Sequence, residues 1–455
     1  MATADHSLYF DSALLPEGWA RDVRLTIRGG RIAAIATGVA AAAGDERHGA
    51  AVPGLPNLHS HAFQRGMAGM AERRGPSADS FWTWREVMYR FLDRMTPDDL
   101  HAVAALAYLE MAETGFTRVG EFHYLHHDRG GTPFADPAEM SRAIIAAAAE
   151  SGIGLTLLPV LYAHSGFGAA PPQPQQARFL HDMDGYARLI AAVGAAGADL
   201  PDMVVGVAPH SLRAVSPDQL AALAPLAAGR PVHIHIAEQM REVEDCLAWS
   251  GARPVEWLLD HADVDARWCL VHATHMTDAE TAAMARSGAV AGLCPITEAN
   301  LGDGLFPAEG FIAAGGRYGV GSDSNVLIDA SEELRLLEYG QRLTRRGRNL
   351  MAGGEGRSTG DDLYAAALAG GAAALGVPAG LVVGAAADLV SLDRDHASLA
   401  GKAGDALTDA FLFAAGRGAI RHVWRFGTRI VSDGRHHRRD AIVDRYRRTL
   451  AGLMA

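Results

Sequence analysis

Lysine is almost missing from this chain of 455 residues: of 41 basic side chains only Lys402 is lysine, and the others are arginine. Any chemistry that needs a lysine amine must use Lys402 or do without. Cysteine is scarce as well, and Cys246, Cys269 and Cys294 are odd in number and widely spaced. They imply neither a disulfide framework nor a CxxC metal site. Long hydrophobic runs are absent; the stretch at 32–43 is short and rich in alanine and glycine, which argues against a membrane span or a signal peptide. Basic stripes are lacking too. With 53 acidic residues the formal net charge is −12, which weighs against wholesale nucleic-acid binding. A cytoplasmic protein with no membrane and no nucleic-acid partner is the default expectation.

What is present is a composition 49% apolar, enough for a large core, and 20 histidines gathered in short strand-like segments. Residues 7–36 and 383–434 read as short strands, with turns at Pro16-Glu17-Gly18 and Gly29-Gly30. Neither end carries enough strands for a sheet of its own, so pairing them is the economical solution. Between them, continuous apolar runs alternate with alanine-rich helical stretches. Strands are expected at 52–58, 117–124, 153–162, 203–209, 231–237, 268–274, 289–295 and 317–323. One helix opens at Thr96-Pro97-Asp98-Asp99, an N-cap followed by proline. Long loops are expected at 164–178 and 346–360.

This alternation predicts an α/β fold: a (β/α)8 TIM-type barrel over 53–380. A small β-sandwich domain is expected from residues 1–52 and 381–455, the latter including a terminal helix. A doubly wound open sheet is the runner-up, but no GxGxxG or P-loop string opens a helix.

The first barrel strand ends Pro56-Asn57-Leu58-His59-Ser60-His61, and side chains two apart share a face. The fifth, Val232-His233-Ile234-His235-Ile236-Ala237-Glu238, carries His235 near its carboxyl end, with His233 deeper and better suited to a core hydrogen bond. The sixth ends at His272 and the eighth leads into Asp323. A lone polar residue at a strand end is usually a helix cap. Four strand ends offering His-x-His, His, His and Asp together suit a catalytic zinc with an open water position. Asp323 could touch the metal and act as base, Glu238 could protonate a leaving nitrogen, and His272 could polarise the centre under attack.

This order of motifs resembles the amidohydrolase superfamily, and the His235-x-x-Glu238 pairing resembles its deaminase branch. The resemblance implies one metal per subunit held by His59, His61, His235 and Asp323, with Glu238, His272 and Asp323 catalytic. Binuclear relatives that use a carboxylated lysine are excluded by the lone Lys402. The strings PGLPNLHSHAFQRGMAG, SFWTWREVMYRF, GEFHYLHH, LPVLYAHSGFG, APHSLRAV, HIHIAEQ and LCPITEANLGDG are similar to the branch's deiminases of N-formimidoyl-L-glutamate. Asn325 departs from the histidine expected after GSDS in that family.

The likeness implies hydrolysis of a formimidoyl group with release of ammonia. A dicarboxylate substrate calls for arginine forks. Arg85 and Arg213 are the candidates, with Tyr124 and His210 beside them and Gln64 for the formimidoyl nitrogen. Trp82 and Trp84 are expected to pack as helix anchors, and Cys294 and Glu298 to line the pocket. A homodimer is implied by the resemblance alone. The alternative is another mononuclear aminohydrolase of the branch, acting on a purine, pyrimidine or triazine.

Overall fold

The computed structural model describes residues 5–74 and 80–454. Four strands open the chain: β1 (His6–Leu15), β2 (Gly18–Arg28), β3 (Arg31–Ala36) and β4 (Glu46–Pro53). The turn between β2 and β3 is Gly29-Gly30, both at positive φ, as a tight hairpin requires. β4 returns to pair in parallel with β1.

The barrel follows, with β5 (Leu55–Ser60), β6 (Phe116–His123), β7 (Gly154–Leu161), β8 (Val204–Val205), β9 (Ala208–Pro209), β10 (Val232–Ile236), β11 (Trp268–His272), β12 (Val290–Leu293) and β13 (Arg317–Val320). Neighbours pair in parallel within two sheets, β5 to β9 and β10 to β13. Bridges Val207–Val232 and Ser211–His235 join the sheets on one side, and Ser60–Asp323 joins them on the other. The ring is thereby closed. At the Ser60–Asp323 seam a Cβ on Gly321 would fall 2.6 Å from the His59 carbonyl oxygen, so only glycine lets the eighth strand approach the first this closely.

After the barrel come β14 (Leu389–Leu392), β15 (Ile420–Arg425), β16 (Thr428–Ser432) and β17 (Arg435–His436). With the amino-terminal strands they make one eight-stranded sheet, ordered β17-β16-β15-β14-β4-β1-β2-β3. It curls until β3 meets the approach to β14, where Ile32 N donates to Ala385 O at 2.9 Å. Leu8, Phe10, Leu25, Ile27, Leu389 and Trp424 fill the space it encloses.

Two expectations need correction. The first barrel strand begins at Leu55 and not at 52, because residues 46–53 are recruited as β4 between β1 and β14. The expected strand 203–209 is broken in two: Gly206 N donates to Leu157 O on one side and Val207 N to Pro231 O on the other. The helix that opens at Thr96 is present as α2 (Pro97–Glu113), with Asp99 N donating to Thr96 Oγ1 at 3.2 Å. It follows α1 (Phe81–Leu92), which stands over the carboxyl ends of the strands. The 164–178 loop ends in a short 3-10 turn whose buried Arg178 donates to the carbonyls of His127 (3.0 Å) and Met95 (2.8 Å).

Candidate metal centre and substrate pocket

His59 lies next to last in β5 with His61 just past its end, His235 lies next to last in β10, and Asp323 follows β13 at φ +41°. Barrel geometry aims all four at one point. His59 Nε2 lies 3.2 Å from His61 Nε2 and 3.0 Å from His235 Nε2. Asp323 Oδ1 lies 3.4 Å and 3.3 Å from the first two. His61 Nδ1 donates to the Phe122 carbonyl at 2.9 Å, and His235 Nδ1 to the His210 carbonyl at 3.0 Å. Those bonds put the ring proton on Nδ1 and leave Nε2 with a bare lone pair. Inward-facing lone pairs at such separations repel one another unless a cation lies between them. Burial pushes the pKa of His59 down to about 3 and lowers those of His61 and His235, so the imidazoles are neutral, as ligation requires. Burial opposes the charge of Asp323, yet a hydrogen bond from His59 and the positive charge of His272 hold it well below the usual carboxylate range. The donor set fits one divalent cation.

Asn325 sits at φ +56°, a conformation asparagine tolerates better than most residues. Its carboxamide accepts from Ser322 Oγ at 2.6 Å and donates to Ser60 Oγ (3.1 Å), His61 O (3.1 Å) and Asp323 O (3.0 Å). It therefore ties the end of β5 to the loop that bears Asp323, and every bond it makes suits an amide.

Beside this cluster His272 closes β11 at φ +68°, a strained setting for a residue with a side chain. Its Nε2 lies 3.7 Å from Glu238 Oε1 and 3.9 Å from Asp323 Oδ2. Its Nδ1 lies 3.2 Å from Glu298 Oε1, which also accepts from Cys294 N at 2.9 Å. Burial works against a charged His272, but Glu238, Glu298 and Asp323 outweigh it and hold its pKa up at about 10. Burial pushes Glu238 up to about 7, opposed by His272 and reinforced by Asp323.

Above these groups opens a pocket lined by Gln64, Arg85, Tyr124, His210 and Arg213 together with His61, His235, Glu238, His272 and Asp323. Of the metal, catalytic and substrate residues read from the sequence, all line this pocket except His59, which is buried beneath it; Cys294 and Glu298, expected in the wall, lie outside the lining. Gln64 Nε2 donates to Tyr124 Oη at 3.0 Å, while its Oε1 is buried without a partner among the described residues. Burial and nearby Arg213 push His210 well below its ordinary value, so it is neutral. Sequence reasoning missed Met88, Tyr89, Tyr162 and Phe179 in the wall. Tyr162 stands in the LPVLYAHSGFG string, the one signal available for it. The remaining histidines of these segments lie away from the pocket lining. His233 Nε2 meets the Ala374 carbonyl at 2.8 Å in the core. His126 and His127 bond the carbonyls of Val160 (2.9 Å) and Leu180 (2.7 Å), outside the pocket. Glu298 steadies His272, whereas Cys294 is buried and contributes its backbone N–H to Glu298.

The model of the amidohydrolase family matches residues 50–430, and that of the N-terminal domain of formimidoylglutamate deiminase HutF matches residues 6–49. The chain is 55% identical to a formimidoylglutamate deiminase of Pseudomonas aeruginosa over 94% of its own length and 95% of the relative's. It superposes on the crystal structure of an amidohydrolase from Brucella melitensis with a TM-score of 0.96 at 56% identity, covering 99% of this chain and 100% of that one. At 22% identity, a zinc-bound adenosine deaminase from Xanthomonas campestris shares the fold, with a TM-score of 0.80 over 99% of each chain. The chain therefore belongs to the amidohydrolase family, among members that carry the formimidoylglutamate-deiminase amino-terminal domain.

Proposed function

We propose that this enzyme hydrolyses N-formimidoyl-L-glutamate to N-formyl-L-glutamate and ammonia in histidine breakdown, using one zinc ion held by His59, His61, His235 and Asp323. The observation that carries the substrate is the pairing of two pocket arginines, Arg85 and Arg213, with a buried histidine–aspartate cluster. A purine or pyrimidine pocket has no need of two guanidiniums, whereas a dicarboxylate does. The name borne by the Pseudomonas relative supports the same reading.

A dication held by those four residues would supply Lewis acidity, lowering the pKa of a water and polarising the formimidoyl group. The chain's own residues do the rest. Arg85 and Arg213 bind the two carboxylates and fix the substrate's length across the pocket. The unpartnered Gln64 Oε1 accepts from the formimidoyl N–H, and Tyr124 holds that amide in place. Asp323 accepts the proton of the attacking water, and His272 stabilises charge developing at the carbon. Glu238, with a pKa near 7, passes a proton to the departing nitrogen. The C–O bond forms, the C–N bond to the terminal nitrogen breaks, and ammonia leaves. We further read the enzyme as a cytoplasmic homodimer, on the family resemblance; light scattering tests the dimer. Among the described residues no helix is long and apolar enough to cross a membrane.

Ammonia release decides the matter. Zinc-loaded enzyme is expected to turn over formimidoylglutamate and to leave guanine, cytosine and S-adenosylhomocysteine untouched. Chelation should abolish turnover and added zinc restore it. Glu238→Gln should lose at least about 100-fold in kcat while metal analysis still finds zinc bound. Turnover of a nucleobase instead would overturn the substrate, and full activity of Glu238→Gln would overturn the proton route.

A further inference from the structure

Trp82 stands on α1 one turn before Arg85, and three guanidinium groups gather on its indole. The guanidinium carbons of Arg85, Arg241 and Arg213 lie 4.6, 4.7 and 5.8 Å from the ring centroid. They come from three parts of the fold: α1 itself, the loop after β9 and the helix Met240–Ser250. Arg85 also lies 5.6 Å from the Tyr89 centroid, so rings at i−3 and i+4 of its own helix bracket it. Among the described residues, Glu242 and Asp245 face Arg213 and Arg241 at 3.8 and 3.7 Å, and no acidic group pairs with Arg85. Arg85 Nε and Arg213 Nε are buried without a hydrogen-bond partner among the described residues; the Glu242 ion pair sits beyond hydrogen-bond reach and leaves the Arg213 N–H groups free.

Like charges gathered round one ring repel, and something must offset that repulsion. A carboxylate would do so by occupying the N–H forks that a substrate needs. An aromatic face does so by its quadrupole and leaves the N–H groups free. We propose that Trp82 is a positioning residue that sets specificity for a dianion: it holds Arg85 and Arg213 side by side with their donors unspent. The proposal rests on the reading of those two arginines as the carboxylate clamp. It predicts that Trp82 matters most when both substrate carboxylates are present.

The test is steady-state kinetics of zinc-loaded wild type, Trp82→Ala and Trp82→Phe. Two substrates are compared, N-formimidoyl-L-glutamate and N-formimidoyl-L-glutamine, equal in size but differing in one charge. Trp82→Ala should raise KM for the glutamate substrate about 10-fold with kcat within about twofold, and raise KM for the glutamine substrate by about threefold or less. Trp82→Phe should recover most of the loss, since a smaller aromatic face remains. Equal losses on both substrates, a fall confined to kcat, or no change would each overturn the proposal. If Trp82→Ala does not fold, Trp82→Leu against Trp82→Phe makes the same comparison. Failure of the wild type itself to turn over the glutamate substrate removes the clamp reading and this proposal with it, an outcome distinct from the others.

Discussion

At His272 the two ring nitrogens meet different carboxylates, Glu298 at Nδ1 and Glu238 and Asp323 toward Nε2. Glu298 does not line the pocket, so it acts on the substrate only through His272. Glu298→Gln keeps an oxygen for Cys294 N and for the ring but removes the charge. Its expected effect is a fall in kcat of about 10–100-fold with KM changed less than about threefold. Steady-state kinetics check this, and a KM effect alone would count against it. His272 and Glu238 were legible in the sequence because a strand end and an i+3 offset are local features. The Glu298–His272 contact was not, since 26 residues separate the pair and only the packing of β11 against β12 brings them together. Trp82 illustrates the same limit: a tryptophan beside an arginine reads as a helix anchor until Arg213 and Arg241 arrive from elsewhere.

Elements divide by whether their signal is local. α2 is written into Thr96-Pro97-Asp98-Asp99, where Thr96 N donates to Asp99 Oδ2 at 3.0 Å and Asp99 N to Thr96 Oγ1 at 3.2 Å. Thr96→Ala should therefore cost about 1 kcal/mol of stability, read as a lower urea midpoint at unchanged slope, with activity intact. An unchanged midpoint would show that packing alone holds the helix. β4 and β8–β9 behave otherwise. Residues 46–53 are as apolar at their end as any barrel strand, and their membership was decided by partners, β1 and β14. The break at Gly206-Val207 likewise exists because donors on successive residues find carbonyls on opposite neighbours.

Across the whole molecule, buried charges tie the terminal sheet to the barrel floor, opposite the pocket. Arg118 Nη2 on β6 meets Asp202 Oδ2 at 2.6 Å; Arg425 on β15 bonds the same carboxylate and lies 3.4 Å from Asp388. Buried neutral histidines are spread as widely. Burial pushes His181 and His436 down to about 4 and His126 well below its ordinary value. Their unfolded values lie near 6.5, so between that pH and about 4 the unfolded chain takes up protons that the folded chain refuses. Stability present above pH 6.5 is thus lost as pH falls, on the order of 2 kcal/mol each for His181 and His436 by pH 5. Urea midpoints should decline from pH 7.5 to 5, and His436→Gln, which can still donate to Ser151 O, should flatten the decline; an equal slope would sink the assignment. Hydrophobic periodicity, turn chemistry and donor type are properties of a few consecutive residues, and so the sequence by itself determined the strand–helix alternation, the sheet shared by both ends and the kinds of ligand offered. Only tertiary structure decided which lone pairs face one another, which carboxylate steadies His272 and which ring carries the arginines, because those contacts join residues tens to hundreds apart once the barrel closes at Ser60–Asp323.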